Sequence, residues 1–228
     1  MSGDGSTGLF DIFGPVMLGP SSSHTAGVCR IAFIARSIFV GEVEKAVIRF
    51  FGSLAATYAG HGSDRAAVGG LLGIRPDDER MSFSLELADK LAFPYSIVAE
   101  REKVERYHPN TVVIELEGGK KRLRVRGASI GGGNILIQSV NGYSLDLRGE
   151  LDAVLALHHD EVGVIAIVSH ILAASRVNIA NAVSHRKDKG DEAMLVIEVD
   201  GTVPTAALDQ IHNLPAIYEV VYVPAIKG

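Results

Sequence analysis

The chain has a single cysteine, Cys29, among 228 residues, no tryptophan, and aromatic residues at only 6%. One cysteine excludes an internal disulfide, and none is needed in a reducing compartment. It also excludes a self-contained iron–sulfur cluster, which takes three or four thiolates. No apolar run approaches the roughly 18 residues of a membrane span, and no basic-then-apolar leader opens the chain, so the expectation is a cytoplasmic protein. Nor is there a long basic run: the net charge is −5, which argues against nucleic acid or an anionic membrane as partner. The short group Lys120, Lys121, Arg122, Arg124 and Arg126 ends in strand-like alternation and reads as a solvated strand face.

Glycine, at 25 residues, is plentiful, and its clusters mark loops that stand before regular patterns. The stretch Gly19-Pro20-Ser21-Ser22-Ser23-His24-Thr25 precedes apolar Ile31, Ile34, Ala35, Ile38 and Phe39, which fall at i, i+3, i+4, i+7 and i+8. That spacing predicts a helix to about Val40 with one buried face. Hydroxyls, a histidine and unpaired backbone N–H groups therefore meet at a helix start, where a small anion binds readily. The residues alone leave two readings open: the serines cap the helix and His24 packs on its first turn, or the group holds a carboxylate. Nucleophilic catalysis is disfavoured because the Gly-x-Ser-x-Gly elbow is absent.

A strand, Lys45 to Phe51, leads to a second loop of the same construction, Gly60-His61-Gly62-Ser63-Asp64, ahead of another helical pattern. An imidazole there exchanges protons at neutral pH, and Asp64 is placed to orient it. Residues 77–86 read as irregular, 94–98 as a short strand, and Thr111 to Val125 as a hairpin turning at 117–120. The run Gly131-Gly132-Gly133 lets a ligand approach the backbone but has neither the phosphate-loop nor the dinucleotide spacing. From about Arg148 the order is β-α-β-β-α-β, the ferredoxin-like arrangement, with Thr202 expected to cap the second helix. His158-His159-Asp160 is not read as a metal site, because adjacent strand residues point to opposite faces.

Phe10-Asp11-Ile12-Phe13-Gly14-Pro15, the Ser-Ser-Ser-His-Thr stretch, Gly52-Ser53-Leu54, Gly60-His61-Gly62-Ser63-Asp64 and Ser129-Ile130-Gly131-Gly132-Gly133 together resemble the small (beta) chain of the iron–sulfur-dependent L-serine dehydratases. The C-terminal segment resembles an ACT domain. The resemblance implies an α/β (α+β) protein: a mixed α/β beta-chain domain over 9–145, followed by a ferredoxin-like βαββαβ ACT domain over 148–228. It implies deamination of L-serine to pyruvate and ammonia with a large alpha chain. That partner would ligate a 4Fe-4S cluster, one iron of which polarises the substrate hydroxyl and carboxylate; this chain supplies no metal ligand. His24 and His61 would be catalytic, and Ser22, Ser23, Thr25, Asp64, Gly131 and Gly132 would bind substrate. Asp160, Gly163 and Asn178 would contact an amino-acid effector at the ACT turn, and ACT units would pair into a homodimer. A non-catalytic serine sensor that modulates a partner enzyme is the alternative.

Overall fold

A computed structural model of the chain describes residues 23–102 and 104–226. The apolar stripe predicted from Ile31 onward lies on helix α1 (Ser23–Ile38), with Ile31, Ile34 and Ala35 fully buried. Burial of each isoleucine is worth about 1.5–3 kcal/mol relative to exposure, so this face fixes the helix against what lies beneath it. Below it is a six-stranded sheet built from β1 (Lys45–Phe50), β2 (Tyr95–Ala99), β3 (Thr111–Gly118), β4 (Lys121–Gly131), β5 (Asn134–Val140) and β6 (Tyr143–Leu147), in the order β2-β1-β3-β4-β5-β6. Among the described residues, β1 and β2 alone pair in parallel. Parallel strands need a long crossover. Here it contains α2 (Gly52–Thr57), α3 (Ser63–Leu71), a 3₁₀ turn (Glu79–Phe83) and α4 (Ser84–Lys90).

Small residues bring these layers close enough to interlock. A methyl group on Gly70 of α3 would come 2.4 Å from the Cys29 carbonyl oxygen of α1. A methyl on Gly127 of β4 would come 2.9 Å from Ile31 Cγ2, and one on Gly27 of α1 would meet Ser129 Oγ at 2.2 Å. Helix α1 is therefore seated between α3 and β4, with its first turn directly above the end of β4.

The second unit is the βαββαβ arrangement expected from the sequence: β7 (Asp152–His159), α5 (Val164–Ala174), β8 (Asn178–Arg186), β9 (Glu192–Asp200), α6 (Thr205–His212) and β10 (Ile217–Val223), in sheet order β10-β7-β9-β8. Val154, Ala156, Leu195 and Ile197 pack against α5 and α6. The alternate residues Leu155, Met194, Val196 and Val221 join the core of the first unit, which explains why β7 reads as a continuous apolar run. Polar contacts rim this join: Tyr143 donates to Glu192 at 3.2 Å, Lys187 donates to the Asn141 carbonyl at 3.2 Å, and Lys121 pairs with Glu219 at 3.0 Å. No helix among the described residues is long and apolar enough to cross a membrane.

Three expectations need correction. Thr202 does not cap the second ACT helix, because the backbone is still extended at Pro204 (φ −61°, ψ 139°) and the helix begins at Thr205. The irregular reading of 77–86 hides the 3₁₀ turn, capped by Asp78 through the Arg80 N–H, and the start of α4. Strand β6 went unread, although its buried Tyr143, Leu145 and Leu147 alternate with exposed Ser144 and Asp146.

Candidate functional site

The first turn of α1 and the loop before α3 are tied together by one side chain. Thr25, 3% exposed, donates its hydroxyl hydrogen to the His61 carbonyl at 3.0 Å. His24, half-buried, and His61, exposed, are thereby carried on segments that touch. The second loop is itself held: His61 N–H donates to Thr57 and Ser63 N–H to Tyr58. Between them Gly62 takes a left-handed conformation (φ 70°) as the N-cap of α3, which glycine adopts at little cost.

Two further motifs enter from the sheet side. Ser129 N–H donates to the Asn110 carbonyl at 3.0 Å. Asn110 in turn accepts from the Ser53 hydroxyl, and Ser53 N–H donates to the Pro109 carbonyl at 2.8 Å. Since Gly27 of α1 rests on Ser129, the histidine helix, the Gly52-Ser53-Leu54 turn, the His61 loop and the β4–β5 glycine hairpin form one contiguous neighbourhood. Gly131, Gly132 and Gly133 have φ of 98°, 62° and 79°. All three lie in the region that favours glycine, so the hairpin requires them.

Individual residues differ from their expected surroundings. Ser22 lies outside the described residues, as does the side chain of Ser23. The Thr25 hydroxyl hydrogen is directed at a backbone carbonyl, so the residue acts first on the His61 loop. Asp64 does not orient His61: its Oδ1 accepts from the Arg65 N–H at 2.8 Å within the first turn of α3.

Arg30 stands inside the helical pattern with no motif to mark it. It is only 8% exposed, donates from Nη1 to the Gly133 carbonyl at 3.1 Å, and leaves Nε buried without a partner. Burial lowers its pKa from the usual arginine value, partly offset by the negative charge of Glu150. Ser129 Oγ is likewise fully buried and unpartnered.

Cys29 does not fit an iron ligand. Its thiol is fully buried, donates to the Ile74 carbonyl at 3.5 Å, and is pushed far above the usual thiol pKa by that burial; thiolate is the ligating form. Among the described residues no group of three or more His, Cys, Asp or Glu could hold a metal ion.

At the ACT turn, Gly163 is the left-handed N-cap of α5 (φ 100°). Asp160 accepts from the Gly190 N–H at 2.9 Å and from Arg186 at 3.3 Å. These donors lower its carboxyl pKa, the Gly190 bond most. Asn178 donates to Asp200 at 2.6 Å. His158, 2% exposed, bonds the His159 carbonyl through Nδ1 at 2.7 Å and leaves Nε2 buried without a partner at the same end of β7.

Comparison with known proteins gives this geometry its context. Residues 8–140 match the family model described as serine dehydratase beta chain, and residues 153–216 match the ACT domain model. The probable L-serine dehydratase beta chain of Bacillus subtilis (strain 168) is 43% identical over 212 residues, which is 93% of this chain and 96% of that protein. The L-serine dehydratase beta chain of Peptoniphilus asaccharolyticus is 40% identical over 193 residues, 84% and 86% of the two chains. The L-serine dehydratase of Streptomyces coelicolor (strain ATCC BAA-471 / A3(2) / M145) is 31% identical over 158 residues, covering 59% of this chain but only 34% of that protein. A family match across more than half the chain, joined to similarity along nearly all of it, leads to one conclusion: the chain belongs to the serine dehydratase beta-chain family and ends in an ACT domain.

Proposed function

We propose that this chain contributes His24 and His61 to an active site shared with an alpha chain, and that the assembly deaminates L-serine to pyruvate and ammonia. The observation that carries the reading is the Thr25–His61 hydrogen bond, which ties the first turn of α1 to a loop from a distant part of the sequence. A neutral imidazole accepts a proton at pH 7, so one of the two histidines takes the α-proton of serine while the other orients the substrate or returns a proton. The N–H groups at the start of α1, the hydroxyls of Ser22 and Ser23, and the backbone of Gly131 and Gly132 hold the substrate, with Thr25 and Asp64 keeping their loops in register.

The 4Fe-4S cluster belongs to the alpha chain on this reading, since Cys29 is buried, protonated and committed to a carbonyl. Bound there, the cluster supplies Lewis acidity toward the departing hydroxyl. A cytoplasmic setting suits such a cluster and a lone thiol.

The ACT domain adds assembly and regulation. Val162, Ile165 and Ile167 of the α5 region are exposed at 105%, 46% and 49%, and β8 is an edge strand of its sheet. Open edges and clustered exposed apolar residues favour pairing. Two copies meet there as a homodimer, with an amino-acid effector bound at Asp160, Gly163 and Asn178.

The test is pyruvate formation from L-serine under anaerobic conditions with this chain alone, the reconstituted alpha chain alone, and both. Activity confined to the mixture, and lost in His24→Ala and His61→Ala, supports a divided active site. Full activity from the alpha chain alone would overturn it.

A further inference from the structure

Among the described residues Arg30 is a buried cation that no carboxylate pairs with at ion-pair distance. Arg49 shows the ordinary arrangement: half-buried on the sheet, its guanidinium meets Glu100 at 2.8 Å and Glu115 at 3.1 Å. Arg30 is more deeply buried, yet among the described residues it has no carboxylate within ion-pair distance and one hydrogen bond, to the Gly133 carbonyl. Removing a guanidinium from water is costly unless a carboxylate pairs with it, and one carbonyl bond leaves the buried Nε and the charge of Arg30 unanswered among the described residues.

Its position suggests what completes it. Long helical side chains lean toward the helix N-terminus, so Arg30 reaches back along α1 toward the turn that bears His24. Its one bond is to the third glycine of the Gly131-Gly132-Gly133 hairpin. A second orphaned polar group, Ser129 Oγ, lies two residues before that hairpin and directly beneath Gly27. A guanidinium fork matches a planar carboxylate through two parallel N–H···O bonds, and a hydroxyl adds a third donor. One positive charge balances one carboxylate.

We infer that Arg30 and Ser129, against the Gly131-Gly132-Gly133 hairpin, form the anchor for the α-carboxylate of the substrate amino acid. The inference rests on the serine-binding reading above and gives that carboxylate its counter-ion. Arg30 is then a specificity-determining residue: it admits amino acids and refuses their neutral amides.

The experiment uses Arg30→Gln and Arg30→Lys in the assembled complex, and Arg30→Met in this full chain. In the complex, Arg30→Gln raises the KM for L-serine tenfold to a hundredfold, roughly the scale of one lost charge-assisted hydrogen bond, while kcat stays within about threefold; Arg30→Lys recovers part of the loss. In thermal unfolding of the chain, L-serine raises the midpoint of the wild type above that reached with L-serinamide, which lacks the carboxylate. Arg30→Met abolishes that difference and, without ligand, melts no lower than the wild type, because it removes an uncompensated buried charge. An unchanged KM in Arg30→Gln, or a lowered unliganded midpoint in Arg30→Met with the L-serine effect intact, would make Arg30 a structural residue and overturn the inference. If the wild-type mixture forms no pyruvate, the proposed activity fails by itself. The L-serine against L-serinamide comparison then still decides the carboxylate anchor.

Discussion

The Thr25 hydroxyl joins the helix turn that bears His24 to the loop that bears His61, adding to the backbone bonds that already hold that loop. Replacing Thr25 by valine keeps the shape and removes the bond to the His61 carbonyl; a lost hydrogen bond of this kind is worth about 1 kcal/mol. The expected result in the assembled enzyme is a kcat lowered by roughly fivefold to tenfold with the circular-dichroism spectrum unchanged, and Thr25→Ser restores it. On the proposed reading the imidazoles matter far more: His24→Ala and His61→Ala should each lower kcat by at least about 100-fold, the contribution typical of a positioned acid or base. Steady-state pyruvate formation measures both, and a wild-type kcat in either histidine variant would remove that residue from the chemistry. The placement of both histidines at helix starts was legible because each follows a glycine- or serine-rich loop and opens a helical pattern. Arg30 was not, since an arginine at the eighth position of a helix ordinarily faces water; its burial becomes visible only when the β4–β5 hairpin closes over it.

Helix α1 shows the same division among the elements. Its apolar spacing announced a buried face, but not that the opposite side would be nearly as buried against α3. What permits that contact is glycine, whose role in packing leaves no periodic signal. At Gly70 a methyl group would lie 2.4 Å from the Cys29 carbonyl oxygen, a backbone atom that cannot turn aside. Gly70→Ala is therefore expected to push α3 off α1 and to destabilise the chain by about 1–3 kcal/mol, the usual cost of overpacking. A lowered urea midpoint reports it, and an unchanged midpoint would mean that the two helices slide apart freely. The ACT strands were legible for a related reason. Strand β10 occupies Ile217–Val223, as its apolar β-branched run indicates, and β7 is apolar on both faces because each covers a different core. Strand β6 and helix α4 were missed because they are short and partly polar, so tertiary pairing rather than local pattern decides their conformation.

Across the whole molecule the ACT unit has two different boundaries. One is open: on the pairing proposal, Ile167→Asp places a charge on the exposed face of α5 and should shift the chain from dimer to monomer in light scattering, whereas a mass unchanged from the wild type would count against pairing through that face. The other boundary is the join between sheets, and it includes a buried phenol. Tyr143 donates to Glu192 across the join, and Tyr222 donates to Asp152 near the start of the ACT sheet. Burial first, and the neighbouring carboxylates second, push both phenols up to about 12, against about 10 in an unfolded chain. Below pH 10 both phenols are protonated whether the chain is folded or not, and their contribution to stability is fully present. Between about pH 10 and 12 the unfolded chain releases these protons while the folded chain keeps them, so stability falls as pH rises. Urea midpoints measured from pH 8 to pH 12 should therefore decline steeply over the upper part of that range. The double variant Tyr143→Phe, Tyr222→Phe should decline less, with Tyr95, also raised chiefly by burial, accounting for part of what remains. An identical decline in the variant would mean that the join and the start of the ACT sheet tolerate ionised phenols, and that alkaline unfolding begins elsewhere.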